Sequence, residues 1–364
     1  MTNSIGSYNK EDAIFLLKDV SDLVQELSTA EREKIMQSGV HYSRVLPKES
    51  LPSEEYLSLF HDSVEKYAKD VALYVRVLAD QIVRLRGLDN LVLVSLARAG
   101  TPVGVLLKRY IKLKYNTDVA HYSVSIIKGV GVDENAMKHI FAEHPRAVIQ
   151  FVDGWTGKGS ITENLTASCT VLNEKYPHMK LDPTPAVLAD PANCTPLFGT
   201  REDIFIPSAC LNATVSGLIS RTVYMPGIIG EDDFHGAKYY KDWLGEDLSN
   251  AYVDRVSQEF ESVLETTVEA DQYSPEVTWA GMRDVNKIKE HLGLDSTGLI
   301  KPSVGETTRV LLRRVPWKIL VRDLNDVRLE HILFMAQEKG VEVEVFPDMS
   351  YACCGIIRPM EKEE

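Results

Sequence analysis

The sequence predicts an α/β fold built on a parallel sheet. Three observations predict it: short, wholly apolar runs, helical stretches that alternate with them, and glycine-rich turns where a run passes into a helix. The run Leu91-Val92-Leu93-Val94-Ser95-Leu96 is apolar but for one serine, as a strand covered on both faces requires. A helix follows over 102–115, then a strand over 119–127, a helix over 135–143, a strand over 147–152, a helix over 160–175 and a short strand over 186–189. In such a sheet, ligands sit outside the carboxyl ends of the strands, so the loops at those ends are the places to look for chemistry.

The flanking segments read differently. Residues 1–85 form a helical region packed on the core, with Leu16, Leu17, Val20, Leu23, Val24 and Leu27 at helical spacing and a loop over 38–47. The sheet domain spans 86–270 and ends in a glycine- and proline-punctuated stretch and an amphipathic helix over 246–268. Residues 271–300 connect it to a compact αβαβ pattern in 301–364.

Composition narrows the function classes. With 364 residues the chain is too long for one ordinary core. A formal charge of −13 argues against a surface that tracks nucleic acid everywhere, and leaves room for one basic patch. Five cysteines, an odd number with no CxxC spacing, point to reduced thiols rather than a disulfide framework or structural zinc. No apolar run is long enough to span a bilayer, and the N-terminus lacks a charged region followed by an apolar one, so a cytoplasmic protein without membrane contact is expected. A homo-oligomer is compatible with all of this.

The strand 148–152 runs into Asp153-Gly154-Trp155-Thr156-Gly157-Lys158-Gly159-Ser160. Glycines let backbone N–H groups converge on an anion, and the following helix adds its dipole. Thr156 and Ser160 carry hydroxyls, Lys158 a point charge, and Asp153 can hold a sugar diol or a hydrated metal. The match to a P-loop NTPase fails, because Val152 stands at the first glycine position and Gly159 follows the lysine. The loop after the first strand, Ala97-Arg98-Ala99-Gly100, offers close backbone approach and an arginine suited to bidentate anion contact. The loop after the second strand holds Lys128 between residues of flap-like composition. The 153–160 segment resembles the PRPP motif of type I phosphoribosyltransferases, with Gly154 where that family has a second acid.

Read together with His121-Tyr122-Ser123, with Ile206-Pro207-Ser208-Ala209-Cys210-Leu211-Asn212 and with Asp233-Phe234-His235-Gly236, these phrases resemble the phosphoribosyltransferase-like proteins of tellurite-resistance gene clusters, a family that also carries the label cysteine protease StiP. The resemblance implies a type I phosphoribosyltransferase-like sheet and a transferase of glycosyl type that binds PRPP or a related ribose phosphate with Mg²⁺, in nucleotide-like metabolite synthesis or modification. On that reading Asp153, Arg98 and Lys128 are catalytic, Asp153, Gly154, Thr156, Gly157, Lys158, Gly159 and Ser160 bind the ribose phosphate, 97–100 form the pyrophosphate loop, and Asp153 reaches the metal through ligand or water. The alternatives are a cysteine protease using Cys210 and His235, or a non-catalytic nucleotide- or RNA-binding protein. Cys210 lies in an apolar stretch and reads as a buried, slow thiol.

Residues 300–358 carry nine Lys/Arg against eight Asp/Glu, a local charge of +1 in an acidic chain. The order Gly305-Glu306-Thr307-Thr308-Arg309, followed by apolar residues and Arg313, resembles the Pelota-like RNA-binding family. That resemblance implies contact with structured RNA through Gly305, Glu306, Thr308, Arg309 and Arg313.

Overall fold

The computed structural model describes residues 5–28, 31, 35, 40–266 and 276–359, without the side chain of Arg313. Six parallel strands make the central sheet: β1 (Ile14–Leu16), β2 (Leu91–Ala97), β3 (Ala120–Ile127), β4 (Val148–Trp155), β5 (Ala186–Ala189) and β6 (Leu197–Thr200), in the order β1-β3-β2-β4-β5-β6. A short strand, Gly131–Val132, adds antiparallel to the end of β3.

The continuous apolar run of β2 has a simple cause. Leu91 and Leu93 enter one core cluster, whereas Val92, Val94 and Leu96 enter the other. The first cluster is covered by α1 (Glu54–Arg86) and α2 (Gly100–Tyr115), and the second by α3 (Glu134–Glu143) and α4 (Ser160–Lys175). The long helix α1 buries Ala68, Val71, Ala72, Val75, Leu78 and Ile82, an apolar stripe at three- and four-residue spacing. Further on, α5 (Ser249–Ser257) packs against α1 and α2.

The C-terminal part opens with α6 (Ala280–His291), inside the segment expected to be a connector. A small α/β module follows: β7 (Ile300–Pro302), α7 (Val304–Arg313), β8 (Pro316–Val321), α8 (Glu330–Glu338), β9 (Glu342–Val345) and β10 (Cys353–Ile357). Its sheet order is β7-β10-β8-β9, with β8 and β9 parallel and the other pairs antiparallel. Asp203, just past β6, clips the module to the sheet domain. Its carboxylate accepts the Val304 amide at 3.0 Å and the Ala352 amide at 2.9 Å. Among the described residues no helix is long and apolar enough to cross a membrane.

Two expectations are corrected. Residues 10–27 are not helical: Ile14–Leu16 pairs with 122–124 at the sheet edge, and Lys18–Asp19 pairs with Gly236–Ala237. Distant strands satisfy those backbone groups, and tertiary pairing overrides a short helical pattern. The strand expected over 147–152 also runs on, as β4, to Trp155, so Asp153 and Gly154 belong to the strand and the turn proper starts at Thr156. Within the expected loop at 38–47, Ser38 and Gly39 lie outside the described residues, as do 267 and 268 of the expected amphipathic helix.

Candidate active cleft

Because β2 and β4 are neighbours in register, with Ser95 opposite Val152, their carboxyl ends open side by side. The two backbones approach too closely for side chains. A Cβ on Gly100 would lie 2.3 Å from the Val152 carbonyl, and one on Gly154 would lie 2.9 Å from the Ala99 carbonyl. This is the physical reason why Gly154 stands where a second acid was looked for.

A cavity of about 320 Å³ lies at these ends. It is lined by Ala97, Arg98, Ala99, Asp153, Trp155 and the 156–160 turn, and closed from the other side by Lys301, Glu306 and Arg309 of the module. Asp153 is buried, its carboxylate accepts the Gly154 amide at 2.7 Å, and burial pushes its pKa up to about 7. Lys158 donates to the Thr297 carbonyl, and burial followed by the nearby Lys301 pulls its pKa down to about 8. The cavity thus holds an acid and a base whose charges both change near neutral pH, the usual equipment for proton transfer.

Several expected ligand contacts are turned inward. Thr156 donates to Asp190 at 2.6 Å, and Gly157 accepts the hydroxyl of Tyr351 at 2.6 Å through its carbonyl. Arg98 forms an ion pair with Glu49 at 2.6 Å and donates to the Ile219 carbonyl. Lys128 is exposed on the turn after β3 and does not line the cavity, its amide donating to the Tyr42 hydroxyl at 2.8 Å. No group of three or more His, Cys, Asp or Glu suited to a metal occurs among the described residues.

Two of the module's expected RNA contacts, Glu306 and Arg309, line the same cleft. Arg309 donates to the Ala209 carbonyl at 3.0 Å, pairs with Glu306 at 2.8 Å and lies over the Trp155 ring. Thr308 is fully buried and donates to the Val304 carbonyl, while Gly305 packs against Ala209. The side chain of Arg313 lies outside the described residues.

Cys210 and His235 are placed apart. His235 lines a groove with Asp133 and the 129–131 turn, and Cys210 is not part of that groove. Its Nδ1 meets the Ser125 hydroxyl at 2.9 Å, and its amide donates to Asp133. Cys210 is fully buried in the core cluster on the α1 side. Its neighbours Ser208 and Leu211, however, line a small recess that Arg98, Trp155 and Arg309 also line. The other cysteines are buried too, and burial pushes both Cys169 and Cys194 up to about 12. Sequence reasoning missed Glu49, Trp155 and Lys301 as cleft residues. Trp155 alone had a legible signal, its place at the end of an acid-bearing strand.

Residues 6–257 match the family described as "Tellurite-like stress resistance cysteine protease StiP", and residues 279–359 match the "PELOTA RNA binding domain". The chain is 33% identical over 357 residues to the "Cysteine protease StiP" of Acinetobacter baylyi, covering 94% of this chain and 91% of the relative. These findings overturn the transferase expectation. The names attached to similar proteins are those of a hydrolase, and neither PRPP nor a glycosyl transfer is among them.

Proposed function

The chain belongs to the tellurite-like stress resistance cysteine protease family and carries a Pelota RNA-binding domain, and on that premise we propose that it is a hydrolase that works through a thiol. The observation that carries this reading is the similarity, along nearly the whole of both chains, to a relative named a cysteine protease.

Cys210 is the thiol this reading assigns. It is the cysteine whose flanking residues, Ser208 and Leu211, line a recess of the cleft. Asp153, with a pKa near 7, is the group assigned to move the proton. In the proposed step the Cys210 S–H gives its proton to Asp153, and the sulfur bonds to a peptide carbonyl carbon. The C–N bond then breaks, and the amine leaves with the proton returned by Asp153. Water cleaves the resulting thioester. Arg98 and Arg309 supply positive charge to the developing oxyanion.

The thiol is buried in this state, so the reading requires the single turns Pro207–Ala209 and Ala213–Val215 to open as substrate enters. Both turns are buried, so substrate binding has to supply the energy of opening. The test is hydrolysis of a mixed peptide library followed by mass spectrometry. Cys210→Ala is expected to abolish cleavage and Cys194→Ala to keep it. Loss with Cys194→Ala and retention with Cys210→Ala would refute the assignment.

A further inference from the structure

The cleft continues from the strand ends along the module into a second cavity of about 680 Å³, which shares Arg98, Lys301, Glu306 and Arg309 with the first. Among the described residues, six cations line it: Lys48, Arg98, Arg221, Lys301, Arg309 and Arg314. Two carboxylates, Glu49 and Glu306, face them. Both are engaged, Glu49 by Arg98 at 2.6 Å and Glu306 by Arg309 at 2.8 Å. The wall therefore carries four more cations than carboxylates, in a chain whose net charge is −13. A concave wall of one sign focuses its field, and this one attracts an anion that the rest of the surface repels.

The cavity also has an aromatic platform. Trp243 lines it and is stacked on Tyr240, with ring centroids 4.2 Å apart and planes 5° from parallel. The Tyr240 hydroxyl donates to Glu26 at 2.7 Å, which fixes the lower ring. A braced indole beside a cationic wall is the arrangement on which a base stacks while its phosphates follow the charges.

We propose that this cleft binds a single strand of RNA, with phosphates along Lys48, Arg221 and Arg314 and a base stacked on Trp243. The Pelota module supplies one wall and the sheet domain the other, so the strand contacts both. The inward-facing Arg309 and Glu306 favour a threaded strand over a folded RNA seated on an open face, because Ala209 and Trp155 already occupy that face.

The test uses the full chain and a fluorescein-labelled 12-nucleotide oligouridylate, read by anisotropy at several salt concentrations. Lys48 and Arg314 are exposed, so reversing them leaves the core untouched. Lys48→Glu/Arg314→Glu is expected to weaken binding at least tenfold at 0.1 M salt. It should also lower the slope of log affinity against log salt by about 1.4, roughly 0.7 for each lost phosphate contact. Trp243→Ala is expected to weaken it about tenfold with the slope unchanged, since stacking contributes without charge. Lys112→Glu, exposed in the last turn of α2 and lining neither cavity, is the control and should have no effect. Affinity within twofold of wild type for the double variant would overturn the proposal. So would an equal loss with Lys112→Glu, which would place the strand away from the cleft. Competition by a 12-residue polyglutamate peptide as effective as unlabelled RNA would also overturn it, by making the cleft a site for acidic peptides.

Discussion

The guanidinium of Arg309 lies over the indole of Trp155, 4.9 Å from the ring centroid. One residue belongs to the C-terminal module and the other ends the strand that carries Asp153, so the cleft is built by both parts of the chain. Arg309→Ala removes this stacking, the bond to Ala209 and the pair with Glu306. Stacking contributes about 0.5–2 kcal/mol and the hydrogen bond about 1. The expected outcome is a loss of roughly 1–3 kcal/mol in denaturant unfolding, with a change in tryptophan fluorescence. An unchanged midpoint and spectrum would show that the two parts dock without this contact.

Asp203 makes the second clip. Asp203→Ala leaves the amides of Val304 and Ala352 without their acceptor inside the protein. Buried donors of that kind cost about 1–3 kcal/mol each. The module should become the first site of limited proteolysis, with cleavage in 276–304 appearing well before cleavage in the central sheet. Resistance equal to wild type would refute the clip.

How much of this was legible in the sequence depends on the scale of the cause. β2 and β4 declared themselves because a strand covered on both faces must be apolar throughout, and α4 because its acid and glycines precede it directly. Ile14–Leu16 did not, since its strand state depends on Tyr122–Val124, more than a hundred residues away. Asp153, Arg98 and the 156–160 turn were found as a group, and the structure does place them around one cavity. What each side chain does there was not legible. Thr156 turns to Asp190 and Arg98 to Glu49, and neither partner stands near it in sequence. Arg309 is expected from the sequence to contact RNA, and nothing in its helix reveals that it bonds to Ala209 and lies over Trp155.

Asp153 gives a pH-dependent prediction with two signs. Burial raises its pKa in the folded state to about 7, so the folded protein holds a proton that the unfolded chain releases near pH 4. Its contribution to stability is complete below about pH 4 and is lost as pH rises through about 7. Asp153→Asn, which keeps the acceptor for Gly154, should therefore stabilise the protein at pH 8 by roughly 2 kcal/mol. The same change should abolish the rise in peptide hydrolysis through about pH 7 expected of the wild type. A destabilised variant that kept that rise would remove Asp153 from the proposed step.

Cys210, buried beneath a recess of the cleft that sheet and module share, is the thiol proposed to attack. Covalent trapping tests it most directly. The full chain is incubated at pH 7.5 with a peptidyl epoxysuccinate, digested, and the modified cysteine located by mass spectrometry. One adduct is expected, on Cys210, absent in Cys210→Ala and formed much more slowly in Asp153→Asn. An adduct on Cys194 or another cysteine, or none on Cys210 while peptides are being cleaved, would contradict it.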